Sequence, residues 1–405
     1  MEAMVSIFPT ALSGLNGSPS TGEESGGHVK SDVLIIYDLR MMGHKTCQLE
    51  EVPERISKII EKLSSDGLLK RCKVVTKTNH VDPKYAREAH SEDYMKFIEA
   101  LPRSFSRRSC KEYVGSDVYC SDGTKDAILL AAGAVVQACH EVAAGTCLSA
   151  FAIVRPPGHH ASKEKASGFC FLNNVAIGAK YLQAEFGVKR ILIVDFDVHH
   201  GDGTQDIFYN DKNVLFVSVH RSALFPESMK KVTDFGNGAG KRYTINVNLK
   251  YIEDNDLLAV WEHVLLPVAT QFAPEYILVS CGFDAALGDP LGRCGVTSKC
   301  FGQLVLMLKE INNKVVLVLE GGYNLEMISE ASSQCIMALL GDTQKVVDQA
   351  DPFTSTMEAI IEVRNEFKEP WTGLAAEIDP QIVARCKPDP KSEDKKKRAA
   401  EEAPT

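Results

Sequence analysis

The chain has 405 residues, is 44% hydrophobic, and carries a formal net charge of −9 with a pI near 5.7. That length supports one large core or two smaller ones, and ordinary glycine, proline and aromatic contents mark a globular protein. The acidic balance argues against a broad electropositive surface that grips nucleic acid, and the apolar runs fall short of the roughly 20 residues a membrane helix needs. Twelve cysteines include no Cys-x-x-Cys pair and read as free thiols of a reducing compartment. No basic stretch followed by a long apolar one opens the chain, so the expected setting is nucleus or cytoplasm.

In chain order, residues 1–31 are rich in Ser, Gly, Thr and Glu without periodicity and read as a disordered tail. Residues 33–37 read as a buried strand. Ile56, Ile59, Ile60 and Leu63 have helical spacing within 54–66, with Gly67 as the stop. A repeated pattern follows, in which an apolar strand ends in a polar, Gly-rich loop and an amphipathic helix often comes next. The strands are 150–154, 190–198, 213–219, 276–280 and 314–319. The helices are 172–186, 298–312 and 326–340, with a further one over 354–367. Strands buried on both faces and alternating with helices predict an α/β fold, a single domain over 32–386 with a mostly parallel central sheet flanked by helices. Residues 387–405, with the basic run Lys395–Arg398, read as a charged tail; that run has the composition of a nuclear-import signal.

In such sheets ligands sit outside the carboxyl ends of the strands, and the chemically suggestive residues fall there. The run Val194-Asp-Phe-Asp-Val-His-His-Gly-Asp-Gly203 is the densest cluster. Period-two alternation points Asp195, Asp197 and His199 one way and His200 the other, which suits a divalent metal with oxygen and nitrogen ligands. Asp284, after another apolar strand, is the third ligand; three protein ligands leave positions open for water and substrate. His159 and His160 follow Pro156-Pro-Gly158 and suit general-base work, with Asp195 and Asp202 as orienting partners. Tyr323, after Gly321-Gly322, can donate to a developing oxyanion.

These segments, together with Gly168-Phe-Cys-Phe-Leu-Asn-Asn174, stand in the order found in zinc-dependent histone deacetylases, which the chain resembles over about residues 33–342. Ser218-Val-His-Arg221 and Gly288-Asp-Pro-Leu-Gly292 resemble class II more than class I. The resemblance implies an arginase/deacetylase-like fold and the hydrolysis of Nε-acetyl-lysine. It implies one Zn²⁺ on Asp197, His199 and Asp284, His160 as general base paired with Asp202, and His159 paired with Asp195 as an electrostatic element or acid. Tyr323 would stabilise the oxyanion. Phe169 and Phe225 would line a tunnel around the lysine stem, Leu291 would stand near its mouth, Gly322 would border the substrate, and the Gly168 carbonyl would accept the amide N–H. A structural K⁺ near Asp195, Asp197, His199 and Ser218 is implied, as are acetylated histone or non-histone substrates and corepressor complexes. Relatives with another residue at the Tyr323 position are weak deacetylases, so the retained tyrosine implies real activity. Two features depart from the class II pattern: the stretch before Pro53-Glu-Arg55 lacks a His-Pro, and the loop from His220 to Phe225 is short. An acetylpolyamine hydrolase on the same framework is the alternative, disfavoured by Leu291 where an acidic residue would select a cation. A two-manganese ureohydrolase would need more carboxylates than Asp284-Ala-Ala286 offers, and an intact His159, His160 and Tyr323 set the chain apart from a non-catalytic reader.

Overall fold

The central strands carry apolar side chains on both faces, so they need cover above and below, and helices between the strands supply it. The computed structural model describes residues 32–45, 50–102, 117–226, 231–345 and 351–390. The strands are β1 Val33–Ile36, β2 Lys73–Val75, β3 Ser149–Ala152, β4 Ile191–Asp195, β5 Val214–Arg221, β6 Thr244–Leu249, β7 Tyr276–Cys281 and β8 Val315–Leu319. They form one sheet in the order β2-β1-β3-β8-β7-β4-β5-β6, every pair parallel. Asp195 at the end of β4 lies opposite Ser218 of β5 on one side and Ser280 of β7 on the other. The carboxyl ends of neighbouring strands are therefore level, and the loops leaving β3, β8, β7, β4 and β5 emerge side by side.

The helices are set by ordinary end signals. Asn173, Thr297 and Asn324 accept backbone N–H groups at the starts of Asn174–Phe186, Ser298–Ile311 and Leu325–Leu340, while Gly187 and Gly341 close two of them in the left-handed conformation. Leu325–Leu340 packs against both Ser298–Ile311 and Glu54–Ser65, and Thr124–Ala143 against Asn174–Phe186 and β3. The expectation that no apolar run reaches the length of a membrane helix is corrected by Thr124–Ala143, which is long and apolar enough by length and composition, and over half of its apolar stretch is buried inside this fold.

Helix 354–367 is observed over the residues predicted. The strand read over 190–198 is shorter: β4 stops at Asp195, so Asp197 and His199 are loop residues and period-two alternation does not orient them. His220, expected after a strand, lies inside β5, buried between Ser218 Oγ and Asn248 Oδ1. Just past residue 386, the Lys387 amide donates to the Pro352 carbonyl, and its carbonyl accepts the Thr354 N–H. Residues 1–31 and the run Lys395–Arg398 lie outside the described residues.

Candidate active site

Five strand ends supply the site. From the loop after β4 come Asp197 and His199, and from the loop after β7 comes Asp284; one ligand atom from each gathers within 4.8 Å of the others. His199 Nδ1 lies 3.0 Å from Asp197 Oδ1 and 3.0 Å from Asp284 Oδ2. Backbone amides fix the carboxylates: Val198 N–H donates to Asp284 Oδ1 and Gly321 N–H to Asp197 Oδ2, at 2.8 and 2.9 Å. Both aspartates are fully buried.

Two buried carboxylates against one imidazole leave negative charge to be neutralised. Burial and the nearby Asp197 charge push Asp284 up to about 7, and His199, despite burial, rises to about 10 under the pull of Asp284 and Asp197. The cluster thus draws in whatever positive charge it can reach, and a divalent cation answers that demand. Space is kept for one: a Cβ on Gly282 would collide with the Asp197 carboxylate, and one on Gly321 with both carboxylates. The donor set of two oxygens and one nitrogen suits zinc, with room for further ligands. Among the described residues this is the one such gathering of three.

The loop after β3 brings the two histidines. His160 Nδ1 lies 2.7 Å from Asp202 Oδ1, and His159 Nδ1 lies 3.0 Å from Asp195 Oδ2, with its Nε2 3.8 Å from Asp197 Oδ2. Their environments drive them apart. Burial, reinforced by the charge of His159, lowers His160 to about 4 although Asp202 opposes. Burial also resists a charge on His159, yet Asp195 and Asp197 lift its pKa well above the usual histidine range. Two imidazoles pushed in opposite directions therefore stand side by side, ring centres 4.0 Å apart.

Gly168, at φ +50°, passes so close to His160 that a Cβ there would strike the imidazole. Its carbonyl accepts from the Cys170 thiol at 3.3 Å. Phe169, also left-handed at φ +67°, sets its ring edge-on to Tyr323 at 5.8 Å, and Phe225 meets His160 at 5.1 Å. Phe225 is 44% exposed and Leu291 half-buried, so both stand toward solvent. Tyr323 follows β8; burial and the charges of Asp284 and Asp197 hold its phenol well above the ordinary range. The Gly322 carbonyl accepts Arg55 Nε–H at 2.7 Å, and the Arg55 guanidinium lies 5.3 Å from the Tyr323 ring centre. Every site residue expected from sequence is thus brought to one edge of the sheet.

Sequence reading missed the supports. Glu320, fully buried, accepts the Gly158 and His159 amides at 2.6 and 3.1 Å, and burial pushes it up to about 7. Asp117 accepts the Gly168 N–H, and its carbonyl accepts that of Phe169. Glu51 joins Arg155 and Arg55 in a buried ion cluster. Asp289 accepts four backbone N–H groups. Asp289 sits inside the Gly288–Gly292 segment and Glu320 directly precedes Gly321-Gly322, but nothing local marks an acid that will bond amides distant in sequence.

An all-parallel sheet whose carboxyl edge holds an Asp–His–Asp cluster beside two carboxylate-paired histidines is the framework of a metal-assisted hydrolase. The family model described as "Histone deacetylase domain" matches residues 49–339. Histone deacetylase 5 of Arabidopsis thaliana is 39% identical over 400 residues, covering 94% of this chain and 60% of the relative. Polyamine deacetylase HDAC10 of Danio rerio is 36% identical over 365 residues, covering 85% and 53%. The crystal structure of the HDA15 HD domain superposes with a TM-score of 0.76 at 33% identity, covering 86% of this chain and 97% of that one. The chain belongs to the histone deacetylase family. It spans a little over half the length of the two curated relatives, 60% and 53%.

Proposed function

We propose that the protein is a zinc-dependent lysine deacetylase that hydrolyses Nε-acetyl-lysine in proteins to lysine and acetate. The observation that carries this reading is the convergence, from separate strand ends, of the Asp197–His199–Asp284 cluster with two histidines, each bonded to its own aspartate. Zinc on those three ligands would polarise the acetyl carbonyl and lower the pKa of a water. His160 has its Nδ1 committed to Asp202, so its Nε2 is left to take the water proton. His159, paired through Nδ1 with Asp195, would supply positive potential and a proton for the departing amine. Tyr323 keeps its phenolic proton and donates to the oxyanion. Phe169 and Phe225 flank the lysine stem, the Gly168 carbonyl accepts the amide N–H, Gly322 borders the acyl group, and Leu291 lies at the mouth.

The family relation to polyamine deacetylase HDAC10 favours a second reading, an acetylpolyamine substrate. Leu291 offers no negative charge to a polycation, which favours acyl-lysine. The zinc-loaded protein, assayed on an acetyl-lysine peptide and on N8-acetylspermidine, is expected to prefer the peptide and to lose activity with a chelator. A large preference for the polyamine overturns the lysine reading, and two catalytic transition metals per chain overturn the one-zinc site. A structural potassium near Asp195, Asp197, His199 and Ser218, chromatin and corepressor partners, and residence in nucleus or cytoplasm belong to the same proposal, on the strength of the family resemblance.

A further inference from the structure

Asp289 stands apart from the reacting groups, yet it links two segments that the proposed reaction needs. Its carboxylate is only 3% exposed. Oδ1 accepts the N–H groups of Leu291 and Gly292, at 2.9 and 3.0 Å. Oδ2 accepts those of Tyr323 and Asn324, at 2.8 and 3.3 Å. One oxygen therefore serves the loop after β7, which carries Leu291, and the other serves the loop after β8, which carries Tyr323.

Other bonds press the same junction together. Asn324 Nδ2–H donates to the Gly288 carbonyl at 3.1 Å, and Arg221 Nη1–H to the Gly292 carbonyl at 2.8 Å. A Cβ on Gly292 would run into the carbonyl of Asp284. The loop that carries Leu291 is thus folded back onto a metal-ligating residue, and the same carboxylate grips the backbone of Tyr323. Neither loop belongs to the regular sheet at this point; the Phe283 N–H to Gly321 carbonyl bond joins them near the strand ends, and further out their relative position rests on the Asn324–Gly288 bond and on the Asp289 carboxylate. Of these the carboxylate makes four bonds, two to each loop.

We propose that Asp289 is a positioning residue that couples the rim to the oxyanion donor, holding Leu291 and Tyr323 as one unit so that the fit of the substrate at the mouth and the placement of the phenol are set together. The inference rests on the deacetylase reading for the role of Tyr323, while the coupling of the two loops is independent of it. It makes a specific demand on chemistry: both oxygens must be acceptors. An asparagine has the same shape but one acceptor. In either amide orientation its NH₂ faces two backbone donors, so one loop stays held and the other is released.

Two measurements test it on the zinc-loaded 405-residue chain. The first is hydrogen exchange followed by peptide mass spectrometry over residues 287–296 and 320–327. Asp289→Ala is expected to lose protection in both segments together, and Asp289→Asn in one of them, with zinc content unchanged. The second is a double-mutant cycle on kcat with an acetyl-lysine peptide. Asp289→Asn alone should lower kcat by about 10- to 100-fold, the scale set by misplacing a catalytic group by an ångström or less. Placed on Tyr323→Phe, the same change should cost little more, because the group it positions is already gone. Protection lost in neither segment, or kcat losses that multiply in the double variant, overturns the inference. Should Asp289→Ala fail to fold, Asp289→Asn carries both tests. An inactive wild-type protein whose exchange data still show the two segments coupled would instead count against the deacetylase reading alone.

Discussion

His160 is suited to be a base because two effects hold its ring neutral: burial, and the charge on His159 beside it. Tyr323 is suited to be a donor because burial and two nearby carboxylates make loss of its proton costly. Each role follows from surroundings that a single substitution can remove without touching the three metal ligands. His160→Ala and Tyr323→Phe are each expected to lower kcat by roughly 10²- to 10³-fold, the range seen for loss of a catalytic base or oxyanion donor. Zinc content should stay at one per chain, measured by elemental analysis; unchanged turnover in either variant would refute the assigned role. Gly168 tests the same geometry from the other side. An alanine there meets both the left-handed backbone and the His160 ring. Gly168→Ala should therefore lower kcat sharply while zinc stays bound, and a variant with full activity would show that the loop yields without disturbing His160.

At the scale of elements, the sequence displayed the strands and their ends but not how they would be ordered. Apolar runs, most of them closed by polar loops, marked six of the eight strands, β1, β3, β4, β5, β7 and β8, while the short, partly exposed β2 and the alternating β6 carry little such signal. The ligands were legible because Asp197, His199 and Asp284 cluster just past apolar runs. Their convergence follows from the adjacency of β4 and β7, which is a pairing fact and not a local one. The supports were illegible for the same reason. Glu51 looks like one more acid before a proline, but it is fully buried, with Oε2 2.7 Å from Arg155 Nη2 and Oε1 3.0 Å from Arg55 Nη1. Burial works against its charge, and the two arginines outweigh that and hold its carboxyl below the usual range. Arg55 in turn donates to the carbonyls of Gly322 and Glu320, so the cluster ties the segment before Glu54–Ser65 to the loop after β8. Glu51→Gln would leave two buried guanidiniums without an anion. The expected cost is about 3–5 kcal/mol, read as a lower urea midpoint at pH 7; a midpoint within error of wild type would mean that the arginines find other partners.

Across the whole molecule, buried neutral histidines tie stability to pH. His90 sits between the helices Pro83–Ala89 and Glu92–Ala100, 2% exposed. Its Nδ1 lies 2.9 Å from the Ser162 carbonyl, and its Nε2 accepts the Asn173 N–H at 2.9 Å. One ring nitrogen must donate and the other accept, which only the neutral imidazole does. The contact holds the loop after the histidine pair against the cap of Asn174–Phe186, so it reaches the site through the frame. Burial, the largest effect, lowers His90 to about 4 and His44 to about 3. In the unfolded chain a histidine titrates near 6.5. Between these values the unfolded state holds protons that the folded state refuses. The stability from each group is whole above about pH 6.5 and is lost as pH falls, toward 4 for His90 and 3 for His44, at up to about 1.4 kcal/mol per pH unit for each. Metal release at low pH adds its own slope, but it is common to wild type and variant and cancels in their difference. His90→Gln keeps a donor and an acceptor and cannot titrate. Urea unfolding from pH 7 to 4.5 should therefore show the variant losing stability less steeply than wild type, by about 1.4 kcal/mol per unit at most. Parallel curves would mean that His90 takes up its proton in the folded protein, which the bond from Asn173 forbids.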